Sequence, residues 1–387
     1  MRIAIDARPA LDPRRTGVGS YTQQLIRHLP QVDPEDGYVA WYTDARGLLR
    51  SRIYFGDPGA PNLSEKAARI PARVFQPVAW RLGLPRLDWL VDFDVFVATN
   101  FVAPARGRGD RVVPVVHDLA FRHLPETAPQ IDARWLRLLA ETLAAAPAIV
   151  VPSASAAADL AEAFPGVTDR VHVVPHGVDA SAYAPVPQRA IDDVRHRFGI
   201  GGRYVLFLGG IEPRKNLEHL VRAFDRAGPR DVSLVIAGGP VRWLPKAADR
   251  LEAVIALLPP ETQERIVRTG YVSERDKVVL LSGATVLAYP SVYEGFGFPV
   301  LEGFAAGVPV LTSNVSSLPE VAGDAAMLVD PADVDALASA LTQLLLDEDL
   351  RAVLTAAGLA RAATFTWEAT ARTTASVVRS VGATLAG

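Results

Sequence analysis

The chain contains no cysteine and only two methionines among its 387 residues. The lack of cysteine excludes disulfide bonds and thiolate metal sites. No apolar run approaches the roughly 20 residues that a helix needs to cross a bilayer, and no signal peptide precedes the strand pattern that begins at Arg2. The formal net charge of −3 excludes a strong electrostatic attraction to nucleic acid. These features predict a soluble, cytoplasmic globular protein.

Lysine is also scarce, because arginine supplies most of the 40 basic side chains. The only lysines in the sequence are Lys66, Lys215, Lys246 and Lys277. A lysine inside a motif is therefore unusual in this chain and indicates a specific use of its compact charge.

Short β-branched segments alternate with alanine- and leucine-rich helical segments along the whole chain. This alternation is typical of βαβ units around parallel sheets. The length fits two domains, and Pro185 and Pro187 indicate a linker. We therefore predict an α/β fold with two Rossmann-like, doubly wound domains, residues 1–182 and 203–366, joined by residues 183–202. Such domains would face a cleft and bind ligands at the carboxyl ends of their strands.

The most informative motif extends from Glu294 to Glu302 and follows the strand-like run Ala284–Pro290. Its two carboxylates bracket a glycine-rich turn and the start of a helix, whose first turn accommodates Pro299. A helix that begins at a sheet edge presents backbone N–H groups and a positive dipole end to phosphate or sugar oxygens. Carboxylates accept hydrogen bonds from vicinal hydroxyls. The motif thus predicts a nucleotide-sugar site, with Glu294 on the loop and Glu302 in the first helical turn.

A second motif, Gly209–Asn216, follows the predicted strand Tyr204–Leu208. We expect Asn216 to cap the next helix, which would place Arg214 and Lys215 at a helix N-terminus beside a glycine turn. The planar guanidinium and the compact ammonium both bind phosphate. The motif therefore predicts a phosphate-binding segment.

Two candidate groups lie in the first half of the chain. His117 and Asp118 end a predicted strand and would lie at its carboxyl edge. Gly17 and Gly19 follow the first strand and open a helix, where the backbone can approach a pyrophosphate or an acceptor. The third glycine of a dinucleotide fingerprint is absent, which disfavours a dinucleotide-dependent oxidoreductase.

The spacing of seven residues between Glu294 and Glu302, with Gly-Phe-Gly-Phe-Pro between them, resembles the donor site of retaining glycosyltransferases of family 4. These enzymes have the GT-B fold. The run Pro175–Asp179 resembles the family's Pro-Asn-Gly-Val-Asp signature, and Thr269–Val272 resembles the segment whose backbone reads the nucleotide base. The resemblance covers essentially the whole chain and is strongest from residue 209 to 319. It also implies that helix 367–387 packs back on the N-terminal domain.

The resemblance implies roles for the motif residues. Glu294 would contact the donor sugar, Glu302 the ribose hydroxyls and Lys215 the diphosphate. Gly210 occupies the position at which many members carry an arginine, and Arg214 is a candidate substitute. Residues from other segments complete the implied site: His117 at the donor sugar, Asp118 orienting it or binding an acceptor hydroxyl, Gly17 and Gly19 at the phosphates, and Val272, Gly295, Phe296, Gly297, Phe298, Val300 and Leu301 around the donor.

The implied activity is retaining glycosyl transfer from a nucleotide-sugar to a glycan or polyprenyl-linked acceptor. The His-Asp-Leu and Ile-Glu-Pro-Arg-Lys-Asn stretches look most like bacterial mannosyltransferases of polysaccharide assembly, which favours GDP-mannose over UDP-sugars. Alternatives are a UDP-sugar-dependent transferase, a nucleotide-sugar epimerase on the same fold and a nucleotide-binding module without catalysis. Neither a cofactor nor a metal is expected, because Asp92 and Asp94 precede a strand, whereas the Asp-x-Asp metal motif of GT-A transferases follows one.

Residues 66–90 interleave basic and aromatic side chains. This composition suits an interface with anionic headgroups. The proline residues at 71, 77 and 85 forbid one continuous amphipathic helix. We expect either a peripheral contact with the inner face of the membrane through this segment or a basic surface loop whose tryptophans pack into the N-terminal domain.

Overall fold

The computed structural model describes residues 1–12, 16–44, 60–70, 75, 82–105 and 107–386. It divides into two compact units. The first comprises Met1–Leu119, Ile131–Gly177 and Thr366–Gly387, and the second comprises Ala120–Gln130 and Val178–Phe365. The residues predicted to form a linker, 183–202, belong to the second unit, where they include the helix Gln188–Phe198.

The first unit is built around a parallel sheet of the order β3-β2-β1-β4-β5. A pair of parallel strands, β6 and β7, continues it through a bridge between Val115 and Val150. Large apolar side chains on the central strands, including Trp41 and Phe96, form its core. The strands are Arg2–Asp6 (β1), Gly37–Thr43 (β2), Leu63–Ala68 (β3), Val95–Ala98 (β4), Val112–Pro114 (β5), Ile149–Val151 (β6) and Val171–Val173 (β7).

Helices cover this sheet, and the last of them closes the unit. Helix Trp367–Ala386 packs against Gly17–Val32. The hydroxyl of Thr366 accepts a hydrogen bond from the N–H of Ala369 at 3.1 Å, as expected of an N-cap. The α-helices of the first unit are Gly17–Val32, Leu87–Leu90, Ala133–Ala145, Ala154–Ala163 and Trp367–Ala386, with 3₁₀ turns at Arg8–Leu11, Gly109–Arg111 and Pro165–Arg170.

The second unit contains a fully parallel sheet of the order β10-β9-β8-β11-β12-β13. Strands β8, β9 and β11 are almost entirely buried and rich in branched apolar residues, because helices cover both faces of such a sheet. The strands are Arg203–Leu208 (β8), Val232–Ala237 (β9), Ile266–Gly270 (β10), Val286–Tyr289 (β11), Val310–Ser313 (β12) and Met327–Val329 (β13).

The helices of the second unit follow most of its strands, as βαβ units require. Its α-helices are Ala120–His123, Gln188–Phe198, Leu217–Arg226, Lys246–Ile255, Pro260–Gln263, Glu274–Ser282, Phe298–Ala305, Leu318–Ala322, Val334–Leu346 and Glu348–Ala362. Its 3₁₀ turns are Pro125–Thr127, Ala180–Tyr183, Pro213–Lys215 and Gly323–Ala325. The predicted fold class, two parallel α/β units, is confirmed. No helix among the described residues is long and apolar enough to span a membrane.

Candidate active site

Two loops meet where β8 and β9 end in the second unit. The N–H of Gly209 donates to the carbonyl of Ala237, and that of Ile211 donates to Gly239, both at 3.0 Å. Gly210 lies so close to the loop after β9 that a β-carbon at residue 210 would be 2.8 Å from a γ-carbon of Val241. An arginine side chain, which many family 4 members carry at this position, would therefore need Val241 to move.

Lys215 and Arg214 follow this loop in the 3₁₀ turn Pro213–Lys215. The expected cap by Asn216 is wrong. Asn216 has a left-handed backbone with φ of 58°, and its amide donates to the carbonyl of Pro331 at 2.7 Å instead of capping the helix Leu217–Arg226. The two basic side chains thus lie in a separate turn that precedes the helix. The buried hydrogen bond from Asn216 to Pro331 holds the end of this turn in place.

Glu294 collects hydrogen bonds from both basic side chains. Its Oε1 accepts from Nζ of Lys215 at 2.5 Å, from the hydroxyl of Tyr289 at 2.7 Å and from that of Ser291 at 2.6 Å. Its Oε2 accepts from Nη1 of Arg214 at 2.8 Å. Lys215 and Tyr289 are also hydrogen-bonded to each other. The sequence motifs around residues 214 and 294 therefore form one buried cluster at the carboxyl edges of β8 and β11.

The charges of this cluster are balanced. Burial alone would raise the pKa of Glu294, but the positive charges of Arg214 and Lys215 outweigh it and lower the pKa to about 2. Burial and the neighbouring guanidinium lower the pKa of Lys215, against the opposing effect of Glu294. Arg214 also donates to Glu212 at 3.0 Å. Both cations that the sequence predicts to bind phosphate are thus paired with carboxylates.

The backbone between Glu294 and Gly297 is held by two serines from the loop after β12. The N–H of Glu294 donates to the hydroxyl of Ser316 at 3.0 Å, and the hydroxyl of Ser317 is within 2.9 Å of the carbonyls of both Glu294 and Phe296. Gly297 has φ of 107°, a conformation that a side chain would strain. These contacts fix the turn that leads into the helix Phe298–Ala305.

Several predicted donor-site residues contribute their side chains to the core. Phe296, Val300 and Leu301 are buried in the hydrophobic cluster of the second unit. Phe296 also contacts Phe298 edge to face, with ring centroids 5.7 Å apart. Any contact of Phe296, Val300 or Leu301 with a ligand would therefore come from the backbone, as it would for Gly295, which has no side chain.

Glu302 lies in a different set of contacts from Glu294. It is the fifth residue of Phe298–Ala305, so it begins the second turn, and its expected place in the first turn is wrong. Its Oε1 accepts from Nζ of Lys277 at 2.6 Å, and the same carboxylate is close enough to the hydroxyl of Tyr183 to raise the pKa of that group, which burial raises most. Val272 is half-buried and follows β10, whose last residue, Gly270, accepts a hydrogen bond from Gly238 at 2.9 Å.

His117 lies in the first unit, three residues beyond the end of β5, and is buried. Its Nε2 is 2.7 Å from the carbonyl of Thr99, which can only accept, so Nε2 carries the proton. Burial lowers the pKa of His117, although the contact with Thr99 and the charge of Asp118 oppose the shift. The imidazole is therefore neutral at pH 7, and its unprotonated Nδ1 is an acceptor. Tyr21 contacts the ring edge to face at 5.1 Å.

Gly17 and Gly19 form the first turn of the helix Gly17–Val32 in the same unit. The N–H of Gly19 donates to the hydroxyl of Thr16 at 3.2 Å. A β-carbon at Gly19 would lie 2.8 Å from the carbonyl oxygen of Pro9. In this structure the close backbone approach that the two glycines predict is made by the chain itself, at Pro9.

Asp92 and Asp94 both bind Arg2. Asp92 accepts from Nη1 of Arg2 at 2.9 Å, and Asp94 accepts from its backbone N–H at 2.8 Å. Among the residues that the structure describes, no three histidine, aspartate or glutamate side chains form a group able to hold a metal ion. Metal independence itself stays a prediction.

Comparison with known proteins decides the family. Residues 15–182 match the family described as Glycosyltransferase Family 4, and residues 189–361 match Glycosyl transferases group 1. O-antigen chain mannosyltransferase B of Escherichia coli is 32% identical over 95% of this chain and 97% of its own length. The chain is a family 4 glycosyltransferase.

Solved structures agree on the fold of this glycosyltransferase. HepE of Anabaena, in complex with UDP and glucose, superposes with a TM-score of 0.72 at 16% identity and covers 100% of this chain and 99% of its own. WaaG, a glycosyltransferase involved in lipopolysaccharide biosynthesis, superposes with a TM-score of 0.67 at 16% identity. The match covers 98% of this chain and 99% of WaaG. The GT-B fold that the motifs implied is thus confirmed.

The candidate site contains polar residues that the sequence motifs did not indicate. Tyr289 and Ser291 hydrogen-bond Glu294, and Lys277 binds Glu302. For Tyr289 and Ser291 the available signal is their position at the end of a strand, directly before Glu294. For Lys277 it is the scarcity of lysine, since it is one of only four in the chain.

Proposed function

We propose that this family 4 glycosyltransferase transfers mannose from GDP-mannose to a glycan or polyprenyl-linked acceptor and retains the anomeric configuration. The similarity to the O-antigen chain mannosyltransferase B of E. coli supports mannose as the sugar. Serotype-specific mannosyltransferase WbdA of E. coli, 30% identical over 67% of this chain and 32% of its own length, supports it further. A UDP-sugar remains the alternative donor.

The observation that carries the proposal is the cluster of Lys215, Arg214 and Glu294. When a donor diphosphate binds, Lys215 and Arg214 would leave their carboxylate partners and bind phosphate oxygens, which accept well from guanidinium and ammonium groups. The exchange would release acceptor positions on Glu294 for hydroxyls of the sugar. Glu302 would bind the ribose, and the backbone at Val272 would read the base. The cluster would thus serve the diphosphate and the sugar, and Glu302 and Val272 would serve the nucleoside.

The same charges account for catalysis. Loss of the sugar leaves negative charge on the departing diphosphate, which preorganised cations stabilise. The anomeric carbon becomes oxocarbenium-like, as in glycoside hydrolysis. The hydroxyls of Tyr289 and Ser291 would still occupy Oε1 of Glu294 after the two cations turn to the diphosphate, so we assign Glu294 to the sugar hydroxyls and not to a covalent intermediate. We therefore propose attack on the face that the diphosphate leaves, with a phosphate oxygen accepting the proton of the acceptor hydroxyl. Neutral His117 would accept a hydrogen bond from the donor sugar.

Donor binding tests the proposal. A true donor at about 100 times its dissociation constant stabilises a protein by roughly 2.7 kcal/mol. Thermal unfolding with GDP-mannose, GDP-glucose, UDP-glucose and ADP-glucose should therefore show the largest rise in Tm with GDP-mannose. A larger rise in Tm with UDP-glucose would indicate a UDP-sugar as the donor. No rise in Tm with any of the four nucleotide-sugars would contradict the proposal.

Metal independence is a second prediction, because Asp92 and Asp94 are engaged with Arg2. The rate of GDP release from GDP-mannose in the presence of acceptor should be unchanged by an excess of EDTA. A loss of rate that magnesium or manganese restores would show that a metal neutralises the diphosphate in place of Lys215 and Arg214.

Peripheral membrane contact through residues 66–90 is proposed from composition alone. Three of its basic and aromatic residues, Arg73, Trp80 and Arg81, lie outside the described residues. Trp89 is described and is 65% exposed. Co-sedimentation with anionic vesicles, lost when Arg73, Arg81 and Arg86 become glutamate, would support the contact, and no binding by the wild type would end it.

A further inference from the structure

Lys277 lies beside the carboxylate that the proposed function assigns to the ribose. It belongs to the first turn of the helix Glu274–Ser282, which follows β10 and Val272. Its Nζ is 2.6 Å from Oε1 of Glu302 and 2.8 Å from Oε2 of Glu274. The side chains of Lys277 and Glu302 are only 14% and 16% exposed. An ion pair of this kind is shielded from screening by salt.

The surroundings of Glu302 favour the protonated forms of both Lys277 and Tyr183. Burial would lower the pKa of Lys277, but the charges of Glu302 and Glu274 outweigh it and raise the pKa. Burial and the charge of Glu302 raise the pKa of Tyr183, so its hydroxyl stays protonated and can donate. Glu302 thus accepts from one ammonium and has a protonated phenol beside it.

Counting acceptor positions shows what Glu302 can still bind. A carboxylate has about four lone-pair positions. Lys277 uses one of them, and a hydrogen bond from the nearby hydroxyl of Tyr183 would use a second. The remaining capacity matches two neighbouring hydroxyls, which is the arrangement on a ribose.

Stability alone does not explain this ion pair. A buried ion pair adds little stability over an apolar pair of similar size. The helices that carry it are already anchored in the core, Phe298–Ala305 through Val300, Leu301 and Phe304 and Glu274–Ser282 through Leu280 and Leu281. The pair therefore has a use beyond holding these helices together.

We propose that Lys277 is a positioning residue which, together with the Tyr183 hydroxyl, fixes the Glu302 carboxylate to recognise the 2′- and 3′-hydroxyls of the donor nucleotide. The proposal rests on the proposed function, because it takes the ribose to lie at Glu302. It makes the selectivity for ribose over dideoxyribose depend on a side chain that does not itself touch the nucleotide.

The test compares GDP and UDP with their 2′,3′-dideoxy forms by isothermal titration. If GDP binds the wild type more tightly than UDP does, all variants are tested with GDP and its dideoxy form; otherwise they are tested with UDP and its dideoxy form. Two lost hydrogen bonds to a carboxylate should make the dideoxy form bind about 100-fold more weakly or worse. In Lys277→Met this ratio should fall below about 3-fold, and in Tyr183→Phe, a milder change, it should fall by about 2-fold to 5-fold. Lys277→Arg should restore most of the selectivity.

Controls separate positioning from a general loss of structure. Arg275→Met removes an exposed cation from the same helix and should leave the ratio unchanged. In a Glu302→Gln background, Lys277→Met should have no further effect on the ratio, since a positioning residue acts only through its partner. Thermal unfolding monitors the folding of each variant.

The outcomes are distinct. If neither GDP nor UDP binds the wild type, the proposed function fails. If one binds but its dideoxy form binds equally well, or if the ratio survives in both Lys277→Met and Tyr183→Phe, the positioning role is overturned while the donor site stands. If Lys277→Met does not fold, Tyr183→Phe and Lys277→Arg decide the question.

Discussion

Replacing Lys215 with alanine should lower kcat by about 10²-fold to 10³-fold, the usual cost of removing one preorganised donor from a developing anion. The binding of GDP should weaken less than turnover, because the charge of Lys215 matters most as the diphosphate leaves. Arg214, which is 2.8 Å from Glu294, is still present in this variant and preserves part of the affinity for the bound diphosphate. Steady-state kinetics with GDP-mannose, together with titration of GDP, separate the two effects.

The matched control for Lys215→Ala is Lys246→Ala. Lys246 is an exposed lysine in the same unit, and its removal should leave kcat and GDP affinity unchanged. If the Lys215 variant keeps wild-type kcat, or if weaker GDP binding explains its whole loss of kcat/KM, the assignment of Lys215 to the leaving group is wrong.

Gly238→Ala should be the most damaging single methyl addition in the second unit. Gly238 has φ of 145°, which an L side chain rarely adopts. A β-carbon there would overlap the carbonyl oxygen of Gly209 and lie 2.7 Å from its carbonyl carbon. Since both neighbours are backbone, the β8 and β9 loops must separate. We expect the free energy of unfolding to fall by at least about 3 kcal/mol, with loss of GDP binding through the displaced Lys215 turn.

Gly201→Ala controls for the glycine-to-alanine change itself. Nothing lies within 4 Å of a β-carbon at Gly201, in the same unit, so its free energy of unfolding should stay within about 0.5 kcal/mol of the wild type. Urea unfolding followed by circular dichroism measures both variants. Equal stability and equal GDP binding for the wild type and Gly238→Ala would contradict the close contact of the two loops.

Much of the fold could be predicted from periodicity, because the buried parallel strands read as short β-branched runs between helices. Two edge strands could not. Leu63–Ala68 is mostly exposed and contains Ser64, Glu65 and Lys66, and Met327–Val329 has only three residues. An edge strand needs no continuous apolar pattern, since only one side of it is paired.

Within the site, the motifs predicted which residues carry charge but not how those charges pair. Lys215 and Glu294 are 79 positions apart, and their contact depends on the pairing of β8 with β11 in the sheet. Neutralisation of Lys215 and Arg214 by Glu294 and Glu212 is likewise a property of the folded loops. Asn216 illustrates the limit of local rules, since a left-handed backbone turned a predicted cap toward Pro331.

The most direct measurement is proton NMR of a reaction that contains the wild-type enzyme, GDP-mannose and a mannose-terminated acceptor. The account predicts that GDP and one new α-mannoside signal appear in equal amounts, that both depend on the acceptor, and that both form about 10²-fold to 10³-fold more slowly in Lys215→Ala. A β-mannoside would contradict retention. Conversion of the donor sugar without any acceptor, or an unchanged donor after extended incubation with every nucleotide-sugar that binds, would contradict glycosyl transfer at this site.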